Sequence, residues 1–368
     1  MSKPSGQINS LQVLRGIAAL LVVFHHVCAC FASCGDQHSF LARHAGVAGV
    51  GACGVDIFFV ISGFVMTVIT AAKPLSQRSR SSFMIQRLVR IVPLYWIYTT
   101  CMVFLLFLPF TFANTRSLYT WPYIFKSYAF IPSPNPGGDL QPLLGQGWTL
   151  IYEMMFYVVF ALFLRFRTGV GETCISILFL VIVGIGAATT PVNAFAVFFS
   201  DAIILEFCLG MLAGILFSRA PTISPVICLG LFVGSVVAFS ASVYYNVLLE
   251  CQSGLWKYRV IFWGMPAFAL VLSLVLLESE KAITSWPWLL LASGDRSYSI
   301  YLTHSFLILP IGTLLKRISL TTGYADAVLM LVCVLCVLPG WISYRFIEKP
   351  VTKFLRDAFQ TRSITAKC

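Results

Sequence analysis

The sequence predicts an all-α polytopic membrane bundle of about ten transmembrane helices, with both termini in the cytoplasm. Three observations carry that expectation. Of 368 residues, 58% are hydrophobic and 11% charged, against about half and about a quarter in ordinary soluble domains. Mean hydropathy is +0.87, and 31 Phe leave too little polar surface to clothe a soluble body of this size. The basic residues are also sorted by side: with the N-terminus inside, eighteen of the 25 Lys and Arg fall on the cytoplasmic face and seven outside. A soluble enzyme, a disordered chain and a disulfide-framed secreted domain are excluded. The net charge of +11 is then read as topology, and no nucleic-acid partner is expected.

A bilayer core about 30 Å thick takes roughly 20 apolar residues as helix. Apolar runs of that order cover 10–33, 51–72, 91–112, 147–167, 173–190, 199–218, 223–243, 260–278, 297–316 and 325–347. The first can also be read as a signal peptide, with Lys3 to Arg15 as its basic part and Gly16 to Val27 as its apolar part. Two adjacent His inside the apolar stretch, and no clean small-x-small cleavage site after it, favour a span. The third run follows a basic segment, Phe83 to Arg90, and has Pro93 near its first turn. Between the eighth and ninth runs, Trp286 to Leu291 is too short to cross and reads as interfacial. No soluble domain precedes, separates or follows the spans, so residues 1–368 read as one membrane domain with spans over about 10–355. The longest outside loop, 113–146, contains Pro122, Pro132, Pro134, Pro136 and Pro142; it is either a connector or one wall of an acceptor site.

The 12 Cys give no metal framework. Cys174, Cys208, Cys228, Cys333 and Cys336 lie in apolar runs, where a thiol behaves as a small hydrophobe. Cys333-x-x-Cys336 lacks the loop context of a zinc or redox site. Cys28, Cys30 and Cys34 are close enough in sequence for a bridge on an oxidising face.

Ionisable side chains inside a membrane are costly, about 2.5–3.5 kcal/mol each at mid-depth, and so face an interior or a cavity. Here they are Arg15, His25, His26, Asp56, Glu153, Asp201, Glu206 and His304. His26 follows Arg15 by eleven residues, about 16 Å along the axis and on nearly the same stripe, whereas His25 is turned about 80° away. The predicted topology puts His26, Asp56, Glu153 and Glu206 in the outer half, an arrangement suited to a base and its orienting carboxylates. Arg87 and Arg90, at i and i+3, share one face at the cytoplasmic mouth of the third span. Two guanidiniums there suit a phosphate-bearing ligand or simple positive-inside anchoring. Tyr298, Tyr301 and His304, at i, i+3 and i+6, form a polar stripe placed in the inner half. Two classes fit: an enzyme moving a group from a cytoplasmic phosphate-bearing donor to an outside acceptor, and a proton-coupled transporter. Repeats of the kind common in transporters are not visible. Gly210-x-x-x-Gly214 marks a close helix approach, more readily within the chain than between copies; oligomeric state is not legible.

Several segments then coincide with known motifs. They are Leu14-Arg15-Gly16 through His25-His26, Gly54-Val-Asp56-Ile-Phe58-Phe59 through Ser62-Gly63-Phe64, and Arg87-x-x-Arg90-x-x-Pro93-x-Tyr95-Trp96. Further along come Gly145-Gln-Gly147-Trp148-Thr149 through Tyr152-Glu153 and Tyr157, then Leu205-Glu206-Phe207. The last two are Gly294 through Tyr298, Tyr301 and His304, and Phe346-Ile-Glu348-Lys349-Pro350. In these, over about residues 8–355, the chain resembles the acyltransferase 3 family of integral membrane O-acyltransferases, and within it the ExoZ-type exopolysaccharide acetyltransferases. The resemblance implies His26, Asp56 and Glu153 as the catalytic set. It implies Arg15, Arg87 and Arg90, joined by the Tyr298, Tyr301 and His304 stripe, as the side that receives acetyl-CoA; no metal is implied. His25 stands where relatives carry an aromatic or apolar residue. The implied reaction takes acetyl from cytoplasmic acetyl-CoA to a sugar hydroxyl of an exopolysaccharide or a lipid-linked oligosaccharide precursor. O-antigen or another glycan is the alternative acceptor, and both direct transfer and an acetyl-His26 intermediate are compatible. The implied location is the bacterial inner membrane. The SGNH hydrolase-like domain that many relatives carry after the membrane core is not expected here.

Overall fold

The computed structural model describes residues 8–34, 39–44, 49–108, 116–219, 223–249, 258–316 and 324–365. Among these, ten helices are long and apolar enough to cross a membrane: α1 (Asn9–Ser33), α2 (Cys53–Ala71), α3 (Arg80–Phe107), α4 (Gly145–Phe163), α5 (Val170–Thr189), α6 (Ala202–Arg219), α7 (Pro225–Tyr244), α8 (Val260–Ser279), α9 (Ser297–Leu315) and α10 (Ala325–Phe359). The described residues contain helix and irregular chain but no strand. Helices are what an apolar chain must form in lipid, since no water is present to satisfy the backbone.

Two helices form the centre. α2 buries residues on every side, from Cys53 and Asp56 to Thr67 and Thr70. It packs on α1, α6 and α8, while α1 also meets α9 and α10. The approach of α2 and α6 depends on missing side chains. A Cβ on Gly63 would strike the carbonyl oxygen of Phe207, and one on Gly210 that of Val60. Gly214 lies against Thr67 of α2, so the Gly210-x-x-x-Gly214 pair joins helices of one chain. Around this centre, Phe104, Leu162, Leu180, Val226 and Leu331 are exposed, the apolar mantle expected of a bundle whose solvent is lipid.

Three elements differ from the hydropathy reading. α3 starts at Arg80, eleven residues before the apolar run, with the Ser79 side chain accepting from the Ser82 amide as an N-cap. Its first turns carry Arg, Gln and Ser, which lower hydropathy while Phe83 and Arg87 are buried. Pro93 therefore sits inside the helix rather than in its first turn. α10 runs on as helix through a π-turn at Tyr344–Glu348, past the apolar part that marked its predicted end. The interfacial segment folds as a short helix, Trp288–Asp295, that lies along α1; a Cβ on Gly294 would strike the Gln12 carbonyl.

We call the end of the bundle where α1 begins the proximal face and the other the distal face. The 113–146 loop, described from Arg116, makes an ordered distal cap. It contains a helix at Trp121–Tyr128 tied down by Tyr95 Oη donating to the Ser127 carbonyl at 2.8 Å. Tyr123 Oη donates to the Gln141 carbonyl at 2.8 Å, and the Leu143 amide donates to Ser127 Oγ at 2.9 Å. Cys28, Cys30 and Cys34 are free thiols, as are Cys333 and Cys336.

Candidate active site

A cavity of about 390 Å³ enters the bundle between α1, α2, α3, α4 and α9. Its lining starts at Ile8 and Leu11, at the proximal end of α1, and reaches Thr149 and Tyr301. Arg15, Arg87 and Arg90 all face it, with Glu153 and Tyr157 opposite. The structure thus gathers from three helices the Arg residues that sequence distance kept apart.

Arg87 is buried, and its guanidinium carbon lies 5.7 Å from the Phe83 ring centre and 5.9 Å from that of Tyr157. Its planar cation is held by ring faces, which leaves N–H groups for a ligand. Arg15 and Arg90 are half-buried and have no hydrogen-bond or ion-pair partner among the described residues. Against the three cations stands one carboxylate. Glu153 accepts from Tyr157 Oη, its neighbour one turn on, and from Ser62 Oγ at 3.3 Å. The cavity carries net positive charge in a low-dielectric wall, the setting in which an anion is bound most strongly.

The inner end of the cavity is fixed by hydrogen bonds. Tyr301 Oη donates to the Gln146 carbonyl at 2.8 Å and pairs with Thr149 Oγ1 at 2.7 Å. Gln146 in turn donates through Nε2 to the Leu302 carbonyl and to Ser305 Oγ, both at 2.9 Å. Tyr298 lines the cavity nearer the proximal side, its hydroxyl donating to the Ile91 carbonyl at 2.7 Å. Tyr301 lines the cavity, and its ring centre is 6.1 Å from that of His304. His304 is 4.9 Å from His26, centre to centre, and His26 is 5.2 Å from His25. A continuous sequence of side chains therefore leads from the arginines to His26.

Not all the expected neighbours meet. His304, which the sequence pattern put with the donor-binding stripe in the inner half, packs against His26 instead: α9 lies so that its eighth residue reaches the level of the Val22 to His26 turn. Neither Asp56 nor Glu153 bonds His26 among the described residues. Glu153 belongs to the arginine-lined cavity. Asp56 is fully buried and held through both oxygens by Arg259, at 2.8 Å from Nε and 2.7 Å from Nη2. Arg259 also donates to the Ala52 carbonyl at 3.1 Å and lies 5.1 Å over the Trp263 ring. Sorted by sequence as an outside-loop cation, it is a buried anchor at the start of α8. Glu206 lies deep on α6 beside Gly264, with neither carboxylate oxygen hydrogen-bonded among the described residues.

Three further polar residues escaped the sequence reading. Ser62 and Tyr157 sit inside motifs but carry no charge to draw notice. Glu348 accepts from Ser299 Oγ at 2.6 Å; it also sits inside a motif, beyond the hydropathic end of α10, and drew no role from the sequence. The described residues contain no cluster of three or more His, Cys, Asp or Glu arranged to hold a metal.

A polytopic helical bundle with a cationic cavity leading to a histidine pair suits an integral membrane transferase. The chain belongs to the acyltransferase 3 family, whose acyltransferase domain it matches over residues 8–344. It is also 34% identical over 310 residues to the exopolysaccharide production protein ExoZ of Rhizobium meliloti (strain 1021), covering 83% of this chain and 90% of that one. No solved structure matches it.

Proposed function

We propose that this protein is an O-acetyltransferase of the bacterial inner membrane. In this reading it takes acetyl from acetyl-CoA, bound from the cytoplasm, to a sugar hydroxyl of an exopolysaccharide or its lipid-linked precursor. Family membership and the similarity to a protein of exopolysaccharide production support the reaction class and the acceptor. The observation that carries the donor is the cavity, with Arg15, Arg87 and Arg90 lining one space together with Tyr301. The proximal face is the cytoplasmic one, where the excess of Lys and Arg lies.

Arg87 and Arg90 hold the CoA phosphates, since forked N–H donors match phosphate oxygens. The rest of the cavity takes the pantetheine arm and brings the thioester toward Tyr301 and His26. His26 Nε2 removes the proton as the sugar oxygen attacks the thioester carbonyl carbon. A C–O bond forms, the C–S bond breaks, and the thiolate leaves with the bonding pair and takes the proton from His26. General-base assistance of this kind supplies roughly 10²–10⁴-fold.

The test is His26→Ala in the intact protein. Acceptor-dependent release of CoA thiol and O-acetyl signals in the polysaccharide NMR spectrum should fall by about 10²-fold or more, with acetyl-CoA binding retained. Full acetylation by that variant would sink the reading.

A further inference from the structure

We infer that His304 is a positioning residue for His26: its Nε2 accepts a hydrogen bond that His26 can donate only after it has taken the proton from the acceptor hydroxyl. This rests on the reading of His26 as the base. The argument begins with tautomers. His26 Nδ1 is 2.8 Å from the Val22 carbonyl, and His304 Nδ1 is 3.3 Å from the Ile300 carbonyl. A carbonyl oxygen only accepts, so each Nδ1 carries the hydrogen and each ring presents Nε2 as a lone pair. Both partners are backbone groups one turn earlier in the same helix, so the assignment is built into α1 and α9.

Two consequences follow. His26 is ready to act as a base, because its free nitrogen is the unprotonated one. His304 is fully buried, and its Nε2 has no hydrogen-bond partner among the described residues. Orphaned buried acceptors are rare and costly, and they call for an explanation. Here the neighbour supplies one. The rings are 4.9 Å apart, centre to centre, at an interplanar angle of 55°, a separation that a single N–H···N bond spans. In the resting protein neither ring offers the other a donor. Once His26 is protonated it does: its one Nε2–H is shared between the reacting oxygen and His304 Nε2 until the thiolate takes the proton, and the orphaned nitrogen has a donor only in that state. An interaction made in the charged state and absent from the resting one stabilises the proton transfer itself.

The surroundings leave His304 as the group that does this. Around the two rings stand His25 of α1, Tyr301 of α9 with its hydroxyl already committed to Gln146 and Thr149, and Cys336 of α10, whose Sγ is 3.9 Å from the His304 carbonyl. α2 presents Phe58, which lies 6.0 Å from the Tyr301 ring. No carboxylate pairs with either imidazole among the described residues. The place a carboxylate often takes, at the Nδ1–H of a catalytic His, is taken at His26 by the Val22 carbonyl.

The experiment uses the full chain in nanodiscs, acetyl-CoA as donor, and polysaccharide from a strain lacking this protein as acceptor. CoA thiol release is followed against pH through the imidazole range. His304→Leu should lower kcat about 10- to 100-fold, leave the KM for acetyl-CoA unchanged, and move the acid limb to lower pH by about one unit, because protonated His26 loses its acceptor. His304→Gln, whose amide oxygen reaches the place of Nε2, should recover part of the rate and of the limb. A kcat loss with an unmoved limb means packing alone and overturns the inference. So does a raised KM with unchanged kcat, which would return His304 to donor binding. If the Leu variant does not assemble, the limb of the Gln variant decides. Activity retained by His26→Ala would instead remove the base itself, a separate failure.

Discussion

Arg87 and Arg90 show how a pair of side chains changes meaning between sequence and structure. In the sequence they are two cations at i and i+3 near a membrane boundary, where anchoring charges are common. In the structure they join Arg15 around one cavity, and Arg87 is buried between aromatic faces. A buried cation without a carboxylate partner is expensive to keep unless a ligand completes it. If they hold the CoA phosphates, Arg90→Ala should raise the KM for acetyl-CoA about 10-fold, the value of one charge-assisted hydrogen bond. The KM for acetyl-pantetheine, which lacks the nucleotide phosphates, should stay put. Equal losses for both donors would assign Arg90 to general cavity shape. The interior placing of single residues was legible where charge and apolar surroundings conflict, as at Arg15, His26 and Glu153. It was not legible for Ser62 and Tyr157, which fit an apolar helix without conflict, nor was the contact of His304 with His26, which depends on how α9 lies against α1.

At the scale of elements, Asp56 and Arg259 tie the distal ends of α2 and α8. The pair is a bidentate one with little water around it: Asp56 is fully buried and Arg259 is 6% exposed. Breaking such a pair by removing one partner leaves a buried charge and costs about 3–5 kcal/mol. Asp56→Asn should therefore lower the melting midpoint in detergent, and a second change, Arg259→Met, should restore much of it because no orphan charge then remains. A catalytic Asp56 would give the opposite result, an inactive variant of unchanged stability. Element positions themselves were legible because a helix in lipid must be a long apolar run, and ten such helices are present among the described residues. The misread ends were those of α3 and α10, where helices continue past the apolar stretch as amphipathic turns. Hydropathy measures mean polarity and has no view of faces. Phe83 and Arg87 of α3 point inward while Ser81, Ser82 and Gln86 are exposed, so the window average fell below that of a span although the helix is uninterrupted.

The whole molecule carries a sidedness that follows from where its parts lie along the bundle axis. The arginine-lined cavity begins at the proximal end of α1, His26 lies about 16 Å beyond Arg15 on the same helix, and the cap with Tyr123 and Gln141 lies on the distal face. A donor entering proximally and an acceptor arriving distally would meet at the histidine pair without either crossing the bilayer. This makes a vectorial prediction. In sealed proteoliposomes of uniform orientation, acetyl-CoA on the proximal side should support transfer to polysaccharide on the distal side, and CoA thiol should appear on the proximal side only. Orientation is read independently by impermeant thiol labelling. On a cysteine-free background, Ser82→Cys should react from the proximal side and Gly137→Cys from the distal side. Phe58 and Tyr301, which meet in the cavity lining, give the same prediction a structural control. Ser62→Trp places a large ring in the cavity between the arginines and those two rings, and should block transfer from the proximal side while acetyl-CoA still binds through its phosphates. Transfer that proceeds equally with donor and acceptor on the same distal side would contradict the through-bundle path, whatever the chemistry at His26.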